Sequence, residues 1–507
     1  MSGTLINSLN WWATARAATP AIVVGDDQVT YQQLERWATS VAEWLVELGV
    51  QPGDRIGVMA ANSLQWAVLS QACLLSGALL APVNPRFTLS EASFLLVERY
   101  RCTVLFHDAD RRQLASELGQ LSGQMQIQPL DSIDRFRDVA PSGKPLPQNL
   151  DADTEIVIIP TSGSTGRPKG VVYSHRSMLS YLTETALTQP AAIDKGRVII
   201  FAPLCTSAGY VVMTQYLGYG GTVFLEQAFD PAQALEKIVR HRITSMMGAP
   251  IFFERMAAVA GFVEADLSSL QFCLVGGAQV SRGLLETWLA KGVLLRQIYG
   301  QTEVGGYASI NTDEAAISHP EKCGRGSIFT QIAIVDPFGK PLPAGTPGEI
   351  AIRSPSVMTR YWDDPEATAA ALVDGWVRTG DIGVLDEDGL LTMIDRLKDI
   401  IISGGMNISS AELERVIAEY QGVQEVAVIA ARDESFGETP LAIIHGPDRD
   451  AIPDILQHCS THLSSFKLPR YLVVSDTPLP RLATGKLAKP QLRKEYANAH
   501  VELTKVR

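Results

Sequence analysis

The segment Thr161-Ser162-Gly163-Ser164-Thr165-Gly166-Arg167-Pro168-Lys169-Gly170 combines three glycines, four hydroxyls, an arginine and a lysine within ten residues. Glycines let backbone N–H groups come close to a ligand. Hydroxyls and two cations add donors for phosphate oxygens. A loop of this kind grips a polyphosphate. The β-branched run Ile156–Ile159 just before it suits a buried strand. The loop is not a Walker A motif, because GxxxxGK[ST] does not occur and Gly170 follows Lys169. A plain Gly/Ser turn has similar glycine content, but turns seldom pair such hydroxyl density with two cations directly after a buried strand.

The elements that must position this loop follow from periodicity. Helical spacing at Tyr31–Leu48, Ser63–Ser76 and Pro231–Arg240 alternates with short apolar runs at Arg55–Met59, Val198–Pro203 and Gly221–Leu225. That alternation predicts α/β layers around a largely parallel sheet. The Pro/Gly/Ser-containing stretch Asp138–Gln148 reads as a surface connection. Beyond about residue 340 the texture changes: strand-like alternation at Gly345–Arg353 and Val377–Met393 is punctuated by Asp374-Gly375 and Asp388-Gly389, which are hairpin signals. A helix opening at Ser409-Ser410 and strands at Glu425–Ala431 and Leu441–His445 predict a smaller α+β unit. The boundary is placed within Arg396–Asp399.

The chain has 507 residues, which predicts more than one domain. Its formal charge of −12 gives no reason to expect nucleic acid or an anionic membrane as partner. Six scattered cysteines without CxxC or CxxH spacing make a zinc site or a disulfide framework unexpected and fit a reducing cytosol. Met1–Pro20 lacks the basic and apolar regions of a signal peptide. The apolar stretch around Leu74–Leu80 is too short to span a bilayer, so no integral membrane segment is expected. These readings together predict a cytoplasmic protein.

Seven motifs in order resemble the adenylate-forming enzymes, the family of acyl-CoA synthetases, aryl-CoA ligases, luciferases and peptide-synthetase adenylation domains. They are Thr161–Gly170, Gly276-Gly277-Ala278, Tyr299-Gly300-Gln301-Thr302-Glu303, Gly348-Glu349-Ile350, Arg378-Thr379-Gly380-Asp381, Asp395-Arg396-Leu397-Lys398-Asp399 and Thr484-Gly485-Lys486. The resemblance implies a large multi-layer N-terminal domain over residues 1–397 and a smaller mobile C-terminal lid over 398–507. It implies ATP, Mg²⁺ and coenzyme A as cofactors, a carboxylic acid as substrate, and it leaves room for a homodimer.

Chemically, a carboxylate must attack the α-phosphate of ATP, so the site has to offset repulsion between two anions and stabilise leaving pyrophosphate. In the resemblance, Thr161, Ser162, Gly163, Ser164, Thr165, Gly166 and Lys169 hold the β- and γ-phosphates. Thr302 meets the α-phosphate region, and Glu303 holds Mg²⁺, which accepts a single protein carboxylate when phosphates and water complete its shell. Gly276, Gly277, Ala278, Tyr299 and Gly300 form the adenine slot, and Asp381 and Arg396 take the nucleoside. Lys486 bridges the substrate carboxylate and the α-phosphate. Lys398 is the hinge about which the small domain turns, bringing Gly404 and Gly405 to a thiol tunnel. Lys467 and Arg470, in Phe466–Arg470, are further candidates for CoA phosphates.

The acid is expected beside Thr206, Ser207, Gly209, Gly276, Val304 and Gly305. There the chain departs from the family: Pro203-Leu204-Cys205-Thr206 puts a threonine where many acyl- and aryl-CoA ligases have a histidine. The same region has no aspartate suited to an α-ammonium group, which disfavours an amino acid. Small residues predict room for an aromatic, cyclic or medium-chain acid. Ser410 replaces a usual proline, from which only a local backbone effect is expected. The competing functions are a stand-alone enzyme loading a carrier protein and a non-catalytic ATP/AMP-binding sensor; a Walker-type phosphotransferase ranks below both.

Overall fold

Thr30 starts the first long helix, Tyr31–Glu47, through a reciprocal capping box with Gln33. Ser63 caps the helix Leu64–Ser76 by accepting the Trp66 N–H, so it precedes the helix rather than opening it. In this computed structural model residues 3–161, 168–190, 193, 196–278, 280–482 and 485–506 are described. Ser162, Gly163, Ser164, Thr165 and Gly166 of the expected phosphate loop, and Thr484 of the lysine loop, lie outside the described residues.

The chain groups into two compact units, Met1–Ile332 with Ile352–Arg378, and Ala333–Ala351 with Thr379–Arg507. The expected 397/398 boundary falls inside the second of these units.

The first unit contains two largely parallel sheets. One runs in the order Arg360–Tyr361, Lys169–Ser174, Glu155–Thr161, Leu79–Pro82, Arg55–Met59, Val104–His107, Gln126–Pro129. Its parallel core ends in an antiparallel hairpin, in which Thr161 pairs with Lys169. The other runs Ser309–Ile310, Leu295–Tyr299, Phe272–Gly276, Ser245–Gly248, Arg197–Ile200, Thr222–Leu225, Pro20–Val24, Asp27–Thr30. Side chains from both sheets join one core with the helices Leu64–Ser76 and Ser207–Gly218. Both helices are buried on nearly every face, which is why their sequences are apolar all round rather than along one stripe. The strand expected to reach Pro203 stops at Ile200. Thr206 N–H then bonds the Pro203 carbonyl, turning the chain into the helix cap.

In the second unit the strand Glu425–Asp433 alternates with period two, as a strand covered on both faces must. Val426 and Val428 face the helices Ser410–Ala418 and Ile452–His462. Ala427, Ile429 and Ala431 face the C-terminal helices Lys489–Glu495 and Ala499–Glu502. The five-stranded sheet adds Gly437–His445, Tyr471–Ser475, Ile401–Ser403 and Met406–Ile408. In the first unit, Asp374 and Gly375 both have positive φ, 51° and 79°, between the paired residues Val373 and Trp376. That is the backbone an Asp-Gly hairpin turn requires.

Candidate active site

Glu303 sits in the short 3₁₀ turn Thr302–Val304, which follows the strand Leu295–Tyr299. Three backbone carbonyls of that turn are held from outside it. Tyr173 hydroxyl donates to Thr302 O at 2.5 Å, Met358 N–H to Glu303 O at 2.9 Å, and Ser356 hydroxyl to Val304 O at 3.2 Å. Gly305 is needed next: its φ is +80°, and a Cβ there would meet Ser356 O at 2.2 Å. The turn is fixed before any ligand arrives.

The Glu303 side chain is buried, with 8% exposure, and its Oε1 accepts a hydrogen bond from the Tyr361 hydroxyl at 2.8 Å. Burial, and then the Glu303 charge, push the Tyr361 phenol well above its ordinary range, so it stays a donor. Lys169 Nζ lies 4.8 Å from the centroid of the same ring, within reach of a cation–π attraction. Trp362 N–H donates to Gly170 O at 2.7 Å and Thr359 N–H to Val172 O at 2.9 Å. The segment 356–362 therefore ties the phosphate-loop hairpin to the Glu303 turn. Sequence reading missed Tyr361, Tyr173 and Ser356, because nothing local marks an aromatic hydroxyl that meets a residue 58 positions away.

Thr302 and Ser207 are brought together, with their hydroxyl oxygens 3.2 Å apart. Thr206 is the N-cap of the helix Ser207–Gly218; its hydroxyl accepts from Gly209 N–H at 3.3 Å and donates to Pro203 O at 2.7 Å. Gly209 allows a close approach, since a Cβ would stand 2.3 Å from Pro203 O. Gly276 ends its strand against Ile298 O, and Gly300 packs on Gly306 O. Gly277 and Ala278 are exposed just beyond the strand, and Tyr299 is 6% exposed. Val304 is buried.

In the second unit Asp381 and Arg396 are cross-strand partners, with Nε and Oδ1 3.5 Å apart. Asp381 is 6% exposed; its N–H donates to Thr379 Oγ1 at 3.1 Å, and Gly380 N–H donates to Glu349 Oε1 at 3.0 Å. Lys398 lies in the 3₁₀ turn Leu397–Asp399, and Arg493 reaches from the C-terminal helix to Asp399. Partial burial, then the Arg396 charge, draw the Lys398 ammonium below the usual lysine range. Gly404 has φ +56° and Gly405 φ +82° in the turn between Ile401–Ser403 and Met406–Ile408.

Lys486 closes a small loop in which Leu482 N–H donates to Lys486 O at 2.7 Å. Arg481 pins the loop by donating to Gly485 O at 2.6 Å and to Glu425 at 2.7 Å. Lys467 is ion-paired with Glu412 at 2.6 Å, and Arg470 covers the Phe436 ring at 4.1 Å.

Ser410 does more than adjust the local backbone. Fully buried, it donates to Asp395 Oδ2 at 3.0 Å and accepts from Lys489 Nζ at 2.9 Å. The same Asp395 oxygen takes Ser409 Oγ at 2.9 Å and Ala411 N–H at 3.1 Å. A carboxylate thus caps the positive end of the helix Ser410–Ala418.

The AMP-binding enzyme family model matches residues 9–362, and the model of the AMP-binding enzyme C-terminal domain matches residues 412–486. The chain belongs to the AMP-binding enzyme family. Among its relatives, a feruloyl-CoA synthase from Amycolatopsis sp. is 34% identical over 498 residues, covering 96% of this chain and 99% of the relative. A long-chain fatty-acid–CoA ligase of Mycobacterium tuberculosis is 32% identical, covering 93% and 94%. The solved structure of o-succinylbenzoate-CoA synthetase from Bacillus subtilis with its acyl-adenylate intermediate aligns with a TM-score of 0.87 at 27% identity, covering 97% of this chain and 98% of that one. The family fold, a large α/β N-terminal region with a smaller C-terminal one, is the fold described above.

The donor set at Glu303 suits a hard cation. Its oxygen is oriented by a phenol, and the Thr302 hydroxyl is adjacent in sequence. Among the described residues no three His, Cys, Asp or Glu side chains form a metal cage. A single carboxylate with phosphate oxygens and water is a set that Mg²⁺ accepts and zinc disfavours.

Proposed function

We propose that this chain is an ATP-dependent carboxylic acid–CoA ligase that forms an acyl-adenylate and pyrophosphate, then an acyl-CoA thioester and AMP. The observation that carries the reading is Glu303, held buried by Tyr361 beside the Lys169 hairpin, in a chain whose AMP-binding relatives span nearly its full length. In this reading Glu303 holds Mg²⁺, which supplies charge neutralisation at the phosphates. Thr302 and Lys169 address phosphate oxygens. Asp381, already paired with Arg396, accepts from the ribose hydroxyls, and Lys486 brings the acid's carboxylate to the α-phosphate.

Lys398, with 397/398 as the boundary of motion, is the pivot that exchanges Lys486 for the Gly404-Gly405 turn between the two steps. The acid is an aromatic, cyclic or medium-chain one, in keeping with the relatives' range from feruloyl to fatty acyl groups. Free CoA is the acceptor. Five of the six cysteines are buried, which supports a reducing, cytoplasmic setting. No helix among the described residues is long and apolar enough to cross a membrane.

The test is pyrophosphate release over fatty, aryl and cyclic acids, with and without CoA. Acid-dependent release, followed by AMP and thioester only when CoA is present, is the expected result. Release without AMP formation on CoA would favour a carrier-protein acceptor, and no release with any acid would favour a nucleotide sensor.

A further inference from the structure

Three of the contacts that hold the Glu303 turn come from one segment. Ser356 hydroxyl donates to Val304 O, Met358 N–H to Glu303 O and Tyr361 hydroxyl to Glu303 Oε1. The Ser356 backbone also closes on Gly305, where a Cβ would collide with Ser356 O. The placement of the segment 354–361 therefore decides where the Glu303 carboxylate points. What anchors that segment at its start comes from a distant part of the chain.

The helix His175–Thr188 continues directly from the strand Lys169–Ser174 of the phosphate-loop hairpin. On this helix Glu184 is buried, with 7% exposure. Its Oε1 accepts from Ser327 hydroxyl at 2.5 Å and Phe329 N–H at 2.9 Å, and its Oε2 from Thr330 hydroxyl at 2.8 Å. Thr330 Oγ1 is 2.9 Å from Ser354 Oγ. Ser354 Oγ is in turn 2.8 Å from Ser356 Oγ and accepts Ser356 N–H at 3.2 Å. Ser356 hydroxyl then reaches Val304 O at 3.2 Å. Thr330, Ser354 and Ser356 are all buried. An unbroken chain of polar contacts thus runs from Glu184 to the backbone beside Glu303.

Both ends of this chain can only accept, one being a carboxylate and the other a carbonyl. Thr330 accordingly turns its proton to Glu184, and Ser356 turns its own to Val304 O. The chain leaves the first unit after Ile332 and re-enters it at Ile352, so Thr330 and Ser354 stand close to the two crossings. Glu184 ties exit and re-entry together before the segment reaches the Glu303 turn. A carboxylate is costly to take out of water, and an apolar side chain would fill the same space without that cost. Glu184 fixes position rather than filling space.

We propose that Glu184 is a positioning residue for the metal-binding carboxylate: through Thr330, Ser354 and Ser356 it sets the Glu303 turn in the geometry that receives a divalent cation. The inference rests on the reading of Glu303 given above.

The experiment measures the Mn²⁺ affinity of the enzyme–ATP complex by electron paramagnetic resonance. Glu184→Ala removes the first link and Ser356→Ala the last. Each should weaken Mn²⁺ binding by about threefold to tenfold, the worth of one hydrogen bond. The double variant should bind no more weakly than Ser356→Ala alone, because residues acting through one chain are not additive. Glu184→Gln, which keeps an acceptor and the length of the side chain, should fall between wild type and Glu184→Ala. Thr330→Val breaks the chain with Glu184 still in place and should match Glu184→Ala; it carries the test, alone and with Ser356→Ala, if Glu184→Ala does not fold. Wild-type Mn²⁺ affinity in Glu184→Ala or in Thr330→Val overturns the proposal. Additive losses in the double variant overturn it too, since Glu184 would then support only the fold. Absence of Mn²⁺ binding by the wild-type enzyme–ATP complex instead brings down the reading of Glu303 as a metal ligand, and this inference with it.

Discussion

The Tyr361 hydroxyl holds Glu303 Oε1 at 2.8 Å while the Lys169 ammonium sits 4.8 Å from the same ring. One phenol thus sets the positions of an anion and a cation that a nucleotide's phosphates and metal would need at once. Tyr361→Phe keeps the ring and deletes the donor. The Mg²⁺ concentration for half-maximal pyrophosphate release should rise about tenfold, the usual size of an outer-shell effect on metal affinity. Mn²⁺ binding to the enzyme–ATP complex, read by electron paramagnetic resonance, should weaken in parallel. If both stay at wild-type values, Tyr361 only packs.

Lys486 separates the two half-reactions. Its loop is pinned by Arg481 to Glu425 and Gly485, so truncating the lysine leaves the loop's closing contacts in place. Lys486→Ala should lower acyl-adenylate formation by about a thousandfold or more, as removing a principal charge from a developing anion does. Thioester formation from supplied acyl-adenylate should stay within about threefold of wild type, a difference of less than 1 kcal/mol. Equal losses in both steps, in a protein that melts normally, would contradict a pivot that withdraws Lys486.

Thr206 is a cap before it is anything else. Its hydroxyl both accepts from Gly209 N–H and donates to Pro203 O. Thr206→Val keeps the shape and should cost about 1 kcal/mol of stability, read as a lower urea midpoint. Thr206→Ser should restore most of it. A neutral Thr206→Val would mean that the cap is dispensable and that the residue is there for the substrate.

Much of this was legible from local pattern. The helix opening at Tyr31, the Asp374-Gly375 turn and the strand opening at Glu425 are signals between near neighbours, and each appears where the sequence puts it, whereas Ser63 caps its helix rather than opening it. Motif order likewise led to the family. What stayed hidden are partnerships set by the fold: Tyr361 with Glu303, Tyr181 with Gly306, and Asp395 with Ser410 and its neighbours. A hydroxyl in a sequence does not disclose a partner many residues away, and a threonine in place of a histidine does not disclose a helix cap.

Ser410 links Asp395 to the half-buried ion pair of Lys489 and Glu414, whose charged atoms are 2.7 Å apart. Ser410→Ala removes one of three donors from the Asp395 oxygen and leaves a cavity the size of an oxygen. The cost should be about 1.5–3 kcal/mol, that of a hydrogen bond to a charged group. Faster amide hydrogen exchange confined to the helix Ser410–Ala418 and the segment after it would show this. Exchange unchanged there would mean that Ser409 and Ala411 satisfy Asp395 without it.

His175 gives the first unit a pH dependence with a definite sign. It is fully buried; its Nδ1 accepts from Leu5 N–H at 3.2 Å, and its Nε2 has no partner. Burial pulls its pKa from 6.5 down to about 4, so the folded state holds the ring neutral where an unfolded chain would protonate it. Above pH 6.5 neither state binds the proton and the histidine contributes no slope. As pH falls from 6.5 towards 4 the unfolded state binds more protons, and stability declines by about 3 kcal/mol in total before levelling off. Denaturant unfolding at successive pH values, compared with His175→Gln, should show a steeper acid decline in the wild type over that interval. Parallel curves would show that His175 takes up its proton without leaving its place, and that the acid sensitivity of the fold arises elsewhere.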